Sequence, residues 1–128
     1  MNSAAAKIRS FTDLHAWKKG HCLVVEVYKE MKQFPADEVF GMTSQMRRSA
    51  VSVSSNIAEG FGRSSVKEEV QFYYITQGSL TELQNQLLIA RDVGYVSAER
   101  FSELAADTVD VHKLLSGLIK GASHLHNS

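Results

Sequence analysis

The stretch Ser52–Gly60, with sequence SVSSNIAEG, decides how the chain folds. Its three serines and its asparagine are poor helix-interior residues, because their side chains compete for backbone hydrogen bonds. Met46, Val53 and Ile57 nevertheless keep helical spacing through it, which predicts a core helix with one polar edge. At about 100° per residue, one row beside the apolar stripe forms a predicted polar network. Its members are Gln45, Ser52, Asn56, Glu59 and Arg63.

Three more amphipathic segments accompany this helix. Phe34-Pro35 ends the first, because the residue before proline disfavours the α region. The third opens with Ser65-x-x-Glu68, which matches a capping box. Four helices with short connections predict an all-α protein, an antiparallel up-down four-helix bundle. The expected helices are Leu14–Lys32 with Thr12 or Asp13 as N-cap, Met42 or Thr43 to Gly60 with Gly60 or Gly62 as a left-handed cap, Ser65–Val93 followed by Gly94, and Ser97–Gly121.

The first helix has an unusually wide apolar arc. A seam of Leu14, Trp17, His21, Val24, Tyr28 and Met31 lies beside a second row of small and aliphatic residues. Together they span about 200°, against about 100° for a helix that covers one core. Either the helix packs against a second copy as well, or the four-helix core encloses it unusually well. The third helix repeats the pattern beside its core seam of Tyr73, Leu80, Leu83, Leu87 and Ala90. The predicted oligomer interface is Ala16, Gly20, Leu23, Val27, Ile75, Ser79, Glu82, Gln86 and Ile89.

The chain of 128 residues suits one domain, expected over residues 13–121 between a disordered tail, 1–12, and a frayed tail, 122–128. The single cysteine, Cys22, excludes an intrachain disulfide and is expected to be buried and inert. We see neither a signal peptide nor a long apolar run, so we expect a cytoplasmic protein without membrane contact. The net charge is zero, so no global basic field indicates nucleic acid. A local basic surface of Arg47, Arg48, Arg63, Lys18, Lys19 and Lys29 could still contact it.

No motif for catalysis or metal binding is present. The sequence lacks H-E-x-x-H, C-x-x-C, a phosphate loop and G-x-G-x-x-G. No histidine has a glutamate three residues before it, which argues against a di-iron bundle. We therefore expect no catalytic residue, cofactor, metal or small-molecule substrate. One alternative stays open, an enzyme that uses Glu59 with a neighbouring histidine. His112 is expected to be a hydrogen-bonded structural residue at the flank of the core.

The same residues resemble a known family. The pattern consists of Leu14-x-x-Trp17-Lys18, Phe34-Pro35-x-x-Glu38-x-Phe40-Gly41-Met42-Thr43-x-Gln45-Met46-Arg47-Arg48-Ser49-Ala50-Val51-Ser52, Ser55-Asn56-Ile57-Ala58-Glu59-Gly60-x-Gly62-Arg63, Gly78-Ser79-Leu80-x-Glu82-Leu83 and Gly94-Tyr95. Over residues 13–120 the chain is similar to the four-helix-bundle proteins encoded by intervening sequences in bacterial 23S ribosomal RNA genes. It departs from them at Ser54, where the family usually has proline, so this helix is expected to be straighter.

The resemblance implies a fold rather than a reaction. Such proteins are cytoplasmic bacterial bundles that assemble into rings, typically pentamers, and their role is unsettled. It therefore implies a non-enzymatic, ring-forming scaffold or adaptor. The implied partner is the chain itself, with RNA or another protein as further candidates. The alternative is a nucleic-acid-binding accessory protein that uses the basic surface.

Overall fold

The structure, a computed structural model, describes residues 7–127, with side-chain surroundings as far as Ala122. In this part of the chain all regular elements are helical. There are four α-helices, α1 (His15–Met31), α2 (Met42–Phe61), α3 (Val66–Asp92) and α4 (Ala98–Asn127), and two short 3-10 helices, Phe11–Asp13 and Ala36–Glu38. None of the helices within these residues is long and apolar enough to cross a membrane.

Each α-helix packs against its neighbours in the chain, and α4 packs back against α1. This cyclic order is that of a four-helix bundle. The Tyr95 hydroxyl, after α3, donates a hydrogen bond of 2.7 Å to Glu38 Oε2, before α2. The α1–α2 and α3–α4 connections therefore meet at one end of the bundle, as up-down topology requires. The predicted fold class is confirmed at this level.

The helix ends differ in several places from the prediction. Neither Thr12 nor Asp13 caps α1, whose N-cap is Leu14 without a side-chain bond. Asp13 instead accepts from the backbone N–H groups of Arg9 and Ser10, at 2.9 and 3.1 Å, and so closes the preceding 3-10 turn. The Ser65 hydroxyl accepts from the Glu68 N–H at 3.2 Å, which confirms the predicted start of α3.

Glycine acts as a left-handed stop at one predicted end and not at the others. Gly94, after α3, has φ of 86°, as such a stop requires. The α2 helix ends on Gly62, whose φ of −83° is ordinary right-handed geometry, so the predicted left-handed cap is wrong. Helix α4 passes through Gly121 and continues to Asn127, so the segment predicted to fray is helical that far. Of the predicted tail, residues 1–6 lie outside the described residues.

The core confirms the seams predicted for α2 and α3. Their buried residues are Met46, Val53, Ile57, Tyr73, Leu80, Leu83, Leu87 and Ala90, and α4 contributes Leu104, Thr108, Val111 and Leu115. Helix α2 is one continuous helix across Ser54.

On α1 the prediction is wrong, because the row assigned to the oligomer interface faces the core. Leu23 and Val27 are each 1% exposed, and Ala16 and Gly20 are also buried, so this row faces the core and is not an oligomer interface. Tyr28 of the predicted seam is exposed instead. A β-carbon at Gly20 would lie 3.4 Å from Val53 Cγ1, an ordinary van der Waals contact, so α1 packs directly on the core side of α2 there. Leu14 and Met31 of the predicted seam are buried as well, so the core encloses parts of both rows.

Candidate functional site

The serine-rich edge of α2 meets α3 at a three-residue polar cluster. Ser52 Oγ lies 2.7 Å from Ser79 Oγ of α3. Asn56 Nδ2 donates to the carbonyl oxygen of Ser52 at 2.8 Å and to its hydroxyl at 2.9 Å. Ser79 is buried and so belongs to the subunit interior, not to the oligomer interface predicted for it. This cluster fixes the register of α2 against α3, because a shift of either helix would break the serine pair.

The other members of the predicted polar network do not join it. Gln45, Glu59 and Arg63 are exposed. The Arg63 guanidinium carbon lies 4.5 Å from the centroid of the Phe72 ring, a cation–π contact. The polar row follows the edge of the α2–α3 contact. Ser52 bonds across that contact because α3 presents Ser79 there, whereas Asn56 bonds Ser52 within α2.

A second buried cluster, which the sequence reading missed, lies one turn further along the same interface. The Tyr73 hydroxyl, in a side chain that is 0% exposed, donates to Glu69 Oε2 at 2.6 Å. Burial, and then the bond to Glu69, raise the pKa of Tyr73 well above its ordinary range. Gly60 packs against this pair, and a β-carbon there would lie 2.8 Å from Tyr73 Cε1. The sequence signal for this pair is the i, i+4 spacing of Glu69 and Tyr73, which makes their side chains neighbours on a helix.

A charged cluster joins α1 to α4. Arg100 donates through Nε to Glu30 at 3.0 Å and through Nη1 to Glu103 at 2.9 Å, and its Nη2 bonds Glu26. The hydrogen bonds from Arg100 and Lys29 lower the pKa of Glu26. These contacts hold α1 and α4 together, and the charged groups of the cluster are engaged in ion pairs with one another.

The geometry gives no support to the enzymatic alternative. Glu59 is exposed on α2, and His112 is exposed on α4 rather than enclosed at the core flank, as we had predicted. The two helices do not pack against each other. His21 stacks on Trp17 with ring centroids 4.7 Å apart. Within the described residues no group of three or more His, Cys, Asp or Glu side chains could hold a metal ion. Cys22, predicted to be buried, is exposed.

The predicted basic surface is divided between several places. Lys19 Nζ is 3.3 Å from Asp107 and 3.9 Å from Asp110 of α4, so its charge is paired. Lys18 lies beside it, over the edge between α1 and α4. Arg63 is at the far end of α2, against α3. Arg48 is exposed on α2. These cations do not form the single continuous patch that we had predicted.

Two of the predicted cations do come together, in a groove between α1 and α2. We call it the α1–α2 groove; it encloses about 440 Å³. Lys29 is on one rim, and the Arg47 guanidinium carbon lies 5.5 Å from the centroid of the Tyr28 ring. The lining residues are Val24, Val25, Tyr28, Lys29, Lys32, Arg47 and Val51.

The outward side of α3 carries the other surface feature. Ile75 is 46% and Ile89 is 42% exposed, and Glu82 is exposed between them. Gln86, also predicted for an oligomer interface, is only 5% exposed and lies inside the bundle. Tyr74 and Leu88 stand beside the two isoleucines and are exposed as well. Between Gln71 and Ile89, Glu82 is the one charged residue. We call the exposed set Tyr74, Ile75, Glu82, Leu88 and Ile89 the α3 face.

Comparison with known proteins agrees with this fold. A solved structure with a TM-score of 0.73 is that of a protein of unknown function from the S23 ribosomal protein family of Bacteroides thetaiotaomicron. It is 23% identical to this chain and covers 82% of it, and 98% of its own length is matched. No curated protein matches the chain. The family model for the 23S rRNA-intervening sequence protein matches residues 12–117. The chain therefore belongs to the 23S rRNA-intervening sequence protein family.

Proposed function

We propose that the chain is a non-catalytic scaffold whose copies assemble into a ring, with a pentamer as the expected size and the cytoplasm as the expected compartment. The observation that carries this proposal is the α3 face. A solvated helix face is normally covered with charged side chains, whereas this face has four exposed large hydrophobic side chains and one charge. Two pairs of exposed large apolar side chains on one helix face, Tyr74 with Ile75 and Leu88 with Ile89, suit a protein–protein contact site.

The non-catalytic part of the proposal is supported by how the hydrogen-bonded polar side chains of the bundle are used. Ser52, Asn56 and Ser79 bond one another, Tyr73 bonds Glu69, and Arg100 bonds three glutamates. Each cluster connects two helices, or two turns of one helix, inside a packed bundle. Polar groups that are engaged in this way stabilise a fold and are not presented to a substrate.

The test is the molecular mass of the whole protein in solution, measured by sedimentation velocity at micromolar concentration. We expect a mass that is a multiple of the 14.2 kDa protomer. The double variant Ile75→Glu/Ile89→Glu should lower that mass and leave the helical circular dichroism unchanged, because both side chains are exposed. Val109→Glu, an equally exposed position on α4, is the matched control. Leu23 was also predicted for the oligomer interface, but Leu23→Glu cannot test assembly, since it would place a charge in the core. A wild-type monomer would overturn the proposal.

Nucleic-acid binding is the second candidate function, and the α1–α2 groove is what favours it. Lys32 and Arg47 stand there beside the exposed ring of Tyr28, so cations and a stacking platform occur together. A filter-binding titration with a structured RNA should weaken steeply as salt is raised. Lys32→Ala/Arg47→Ala should reduce the affinity, while Arg48→Ala, outside the groove, should change it less. The absence of binding at about 50 mM salt would remove this candidate.

A further inference from the structure

One side chain at the end of the bundle is far more exposed than any other large hydrophobic residue of the described chain. Phe40, just before α2, is 95% exposed, whereas the next, Tyr74, is 57% exposed. Its neighbour Val39 is 44% exposed. A phenylalanine that is presented completely to water is an expected anchor for a protein contact, because aromatic side chains dominate binding energy once a pocket encloses them.

The turn that carries Phe40 is held in place by several bonds. Glu38 accepts from the Tyr95 hydroxyl at 2.7 Å and from the Met42 N–H at 3.2 Å. The Gly41 N–H donates to the Glu38 carbonyl oxygen at 2.9 Å. Phe40 therefore projects from an ordered turn, so little conformational entropy would be lost when it docks. We call Asp37, Glu38, Val39 and Phe40 the acidic turn.

The α1–α2 groove has the complementary chemistry. Its apolar lining is formed by valines and by Tyr28, and its cations are Lys29, Lys32 and Arg47. Lys29 is partly neutralised by Glu26 at 3.4 Å, and Lys32 and Arg47 are exposed. The acidic turn offers the opposite pairing, an exposed apolar ring beside an exposed carboxylate, Asp37. Opposite charges around an apolar anchor are the arrangement that gives a contact both affinity and orientation.

We propose that the acidic turn of one copy docks into the α1–α2 groove of a second copy, with Phe40 between the valines and Asp37 beside Lys32 and Arg47. This inference rests on the proposed self-assembly and names one of its contacts. The turn and the groove are different patches, so each copy gives one contact and receives one. Such a heterologous contact closes into a ring when the rotation between copies allows it.

The experiment uses two variants of the full chain, each of which removes one half of the contact. Phe40→Ala removes the anchor, and Val51→Glu places a negative charge in the groove. Both positions are exposed, at 95% and 39%, so both proteins should fold. Each variant alone should associate at least about tenfold more weakly than wild type in sedimentation velocity. Mixed together, they should form a one-to-one dimer, because the first keeps its groove and the second keeps its turn, and neither has the other half that a larger assembly needs. Val109→Ala is the control and should assemble like wild type.

The outcomes separate this inference from the proposed function. If wild type is a monomer, the proposed self-assembly fails and this contact fails with it. If wild type assembles and both variants keep its mass, self-assembly stands and the turn-to-groove contact is overturned. The groove then has a different occupant, and loss of RNA binding by Val51→Glu in filter binding would identify it as nucleic acid. If both variants dissociate and the mixture forms no dimer, the two patches do not meet each other and the inference is also overturned.

Discussion

The two sides of α2 differ in how completely the rest of the chain buries them. Val53 faces α3 and the core and is 0% exposed, whereas Val51, two residues earlier, is 39% exposed in the α1–α2 groove. The inward side has close packing at Gly60 and a hydrogen-bonded serine pair to α3. The outward side has apolar and basic side chains, among them Val51 and Arg47, that are exposed in the part of the chain the structure describes. The difference indicates that the inward side specifies the fold, and that the outward side is available for a partner.

The largest expected effect is at Gly60, where α2 comes closest to α3. A β-carbon there would lie 2.8 Å from Tyr73 Cε1, 2.9 Å from Phe72 Cβ and 3.1 Å from the Glu69 carbonyl oxygen. The helices would have to separate, so Gly60→Ala should lower the free energy of unfolding by about 3 kcal/mol. Urea denaturation of wild type and Gly60→Ala measures this difference in the free energy of unfolding.

The same substitution at Gly78 is the control. That glycine lies inside α3 with no atom within 4 Å of an added β-carbon, so Gly78→Ala should stabilise the protein by about 0.5–1 kcal/mol. Equal effects at the two glycines would show that the α2–α3 contact is looser than described.

The next effect concerns the buried Tyr73 hydroxyl. Tyr73→Phe leaves the Glu69 carboxylate without the hydrogen bond of 2.6 Å, and we expect a loss of about 1–2 kcal/mol at neutral pH. Tyr74→Phe, at an exposed neighbour, should change stability by less than about 0.5 kcal/mol. Thermal or urea unfolding of the three proteins checks this.

The pH dependence gives a second measurement on the same residue. The pKa of Tyr73 is raised in the folded state, so the folded protein keeps the hydroxyl proton at a pH where the unfolded chain loses it. Stability from this group is therefore complete below about pH 10, the ordinary tyrosine pKa, and falls as pH rises above that value. Wild type should lose stability more steeply than Tyr73→Phe in this window. Parallel slopes would place the hydroxyl in water rather than in the core.

A smaller effect is expected at the serine pair. Ser52→Ala and Ser79→Ala should each cost about 1 kcal/mol, and the double variant less than their sum, because either change alone already breaks the bond of 2.7 Å. Ser54→Ala is the control, since its hydroxyl bonds only the Val51 carbonyl oxygen of its own helix. Additive losses would mean that the two serines do not interact.

The core side of α2 was predicted correctly because Met46, Val53 and Ile57 keep helical spacing. The core seam of α3 was also predicted correctly, but Ser79 and Gln86 of the row beside it, assigned to an oligomer interface, are buried as well. In α1 two apolar rows are adjacent, and periodicity cannot rank them. The row with Gly20 faces inward, where Val53 and Val111 of other helices lie within 4.0 Å of an added β-carbon, and that proximity is tertiary information.

The candidate sites were predicted less well for a related reason. Ser52 and Asn56 were identified because polar residues inside a helix are unusual, but their partner Ser79 was assigned to an oligomer interface. The packing of Gly60 on Tyr73 depends on how α2 and α3 are offset, which no local pattern encodes. The groove likewise combines residues of α1 with Arg47 and Val51 of α2, whose proximity follows only from the packed bundle.

The smallest effect on folding is expected at Val51, on the outward side of α2. Its comparison with Val53 tests the difference between the two sides most directly. Val51→Ala removes an exposed branched side chain from a helix, so at concentrations where the protein is monomeric it should change stability by no more than about 0.5 kcal/mol. Val53→Ala, two residues away, removes the same atoms from the core and should cost about 2 kcal/mol.

When the copies associate, Val51→Ala and Val53→Ala should also differ in how their melting temperatures depend on protein concentration. Binding that is selective for the folded state raises the melting temperature with protein concentration. Wild type should therefore melt at a higher temperature as concentration increases, Val53→Ala should show the same increase from a lower starting value, and Val51→Ala should show a weaker one. This outcome would assign folding to one side of α2 and association to the other. If Val51→Ala kept the full concentration dependence, the groove would not take part in assembly, and the α3 face alone would carry it.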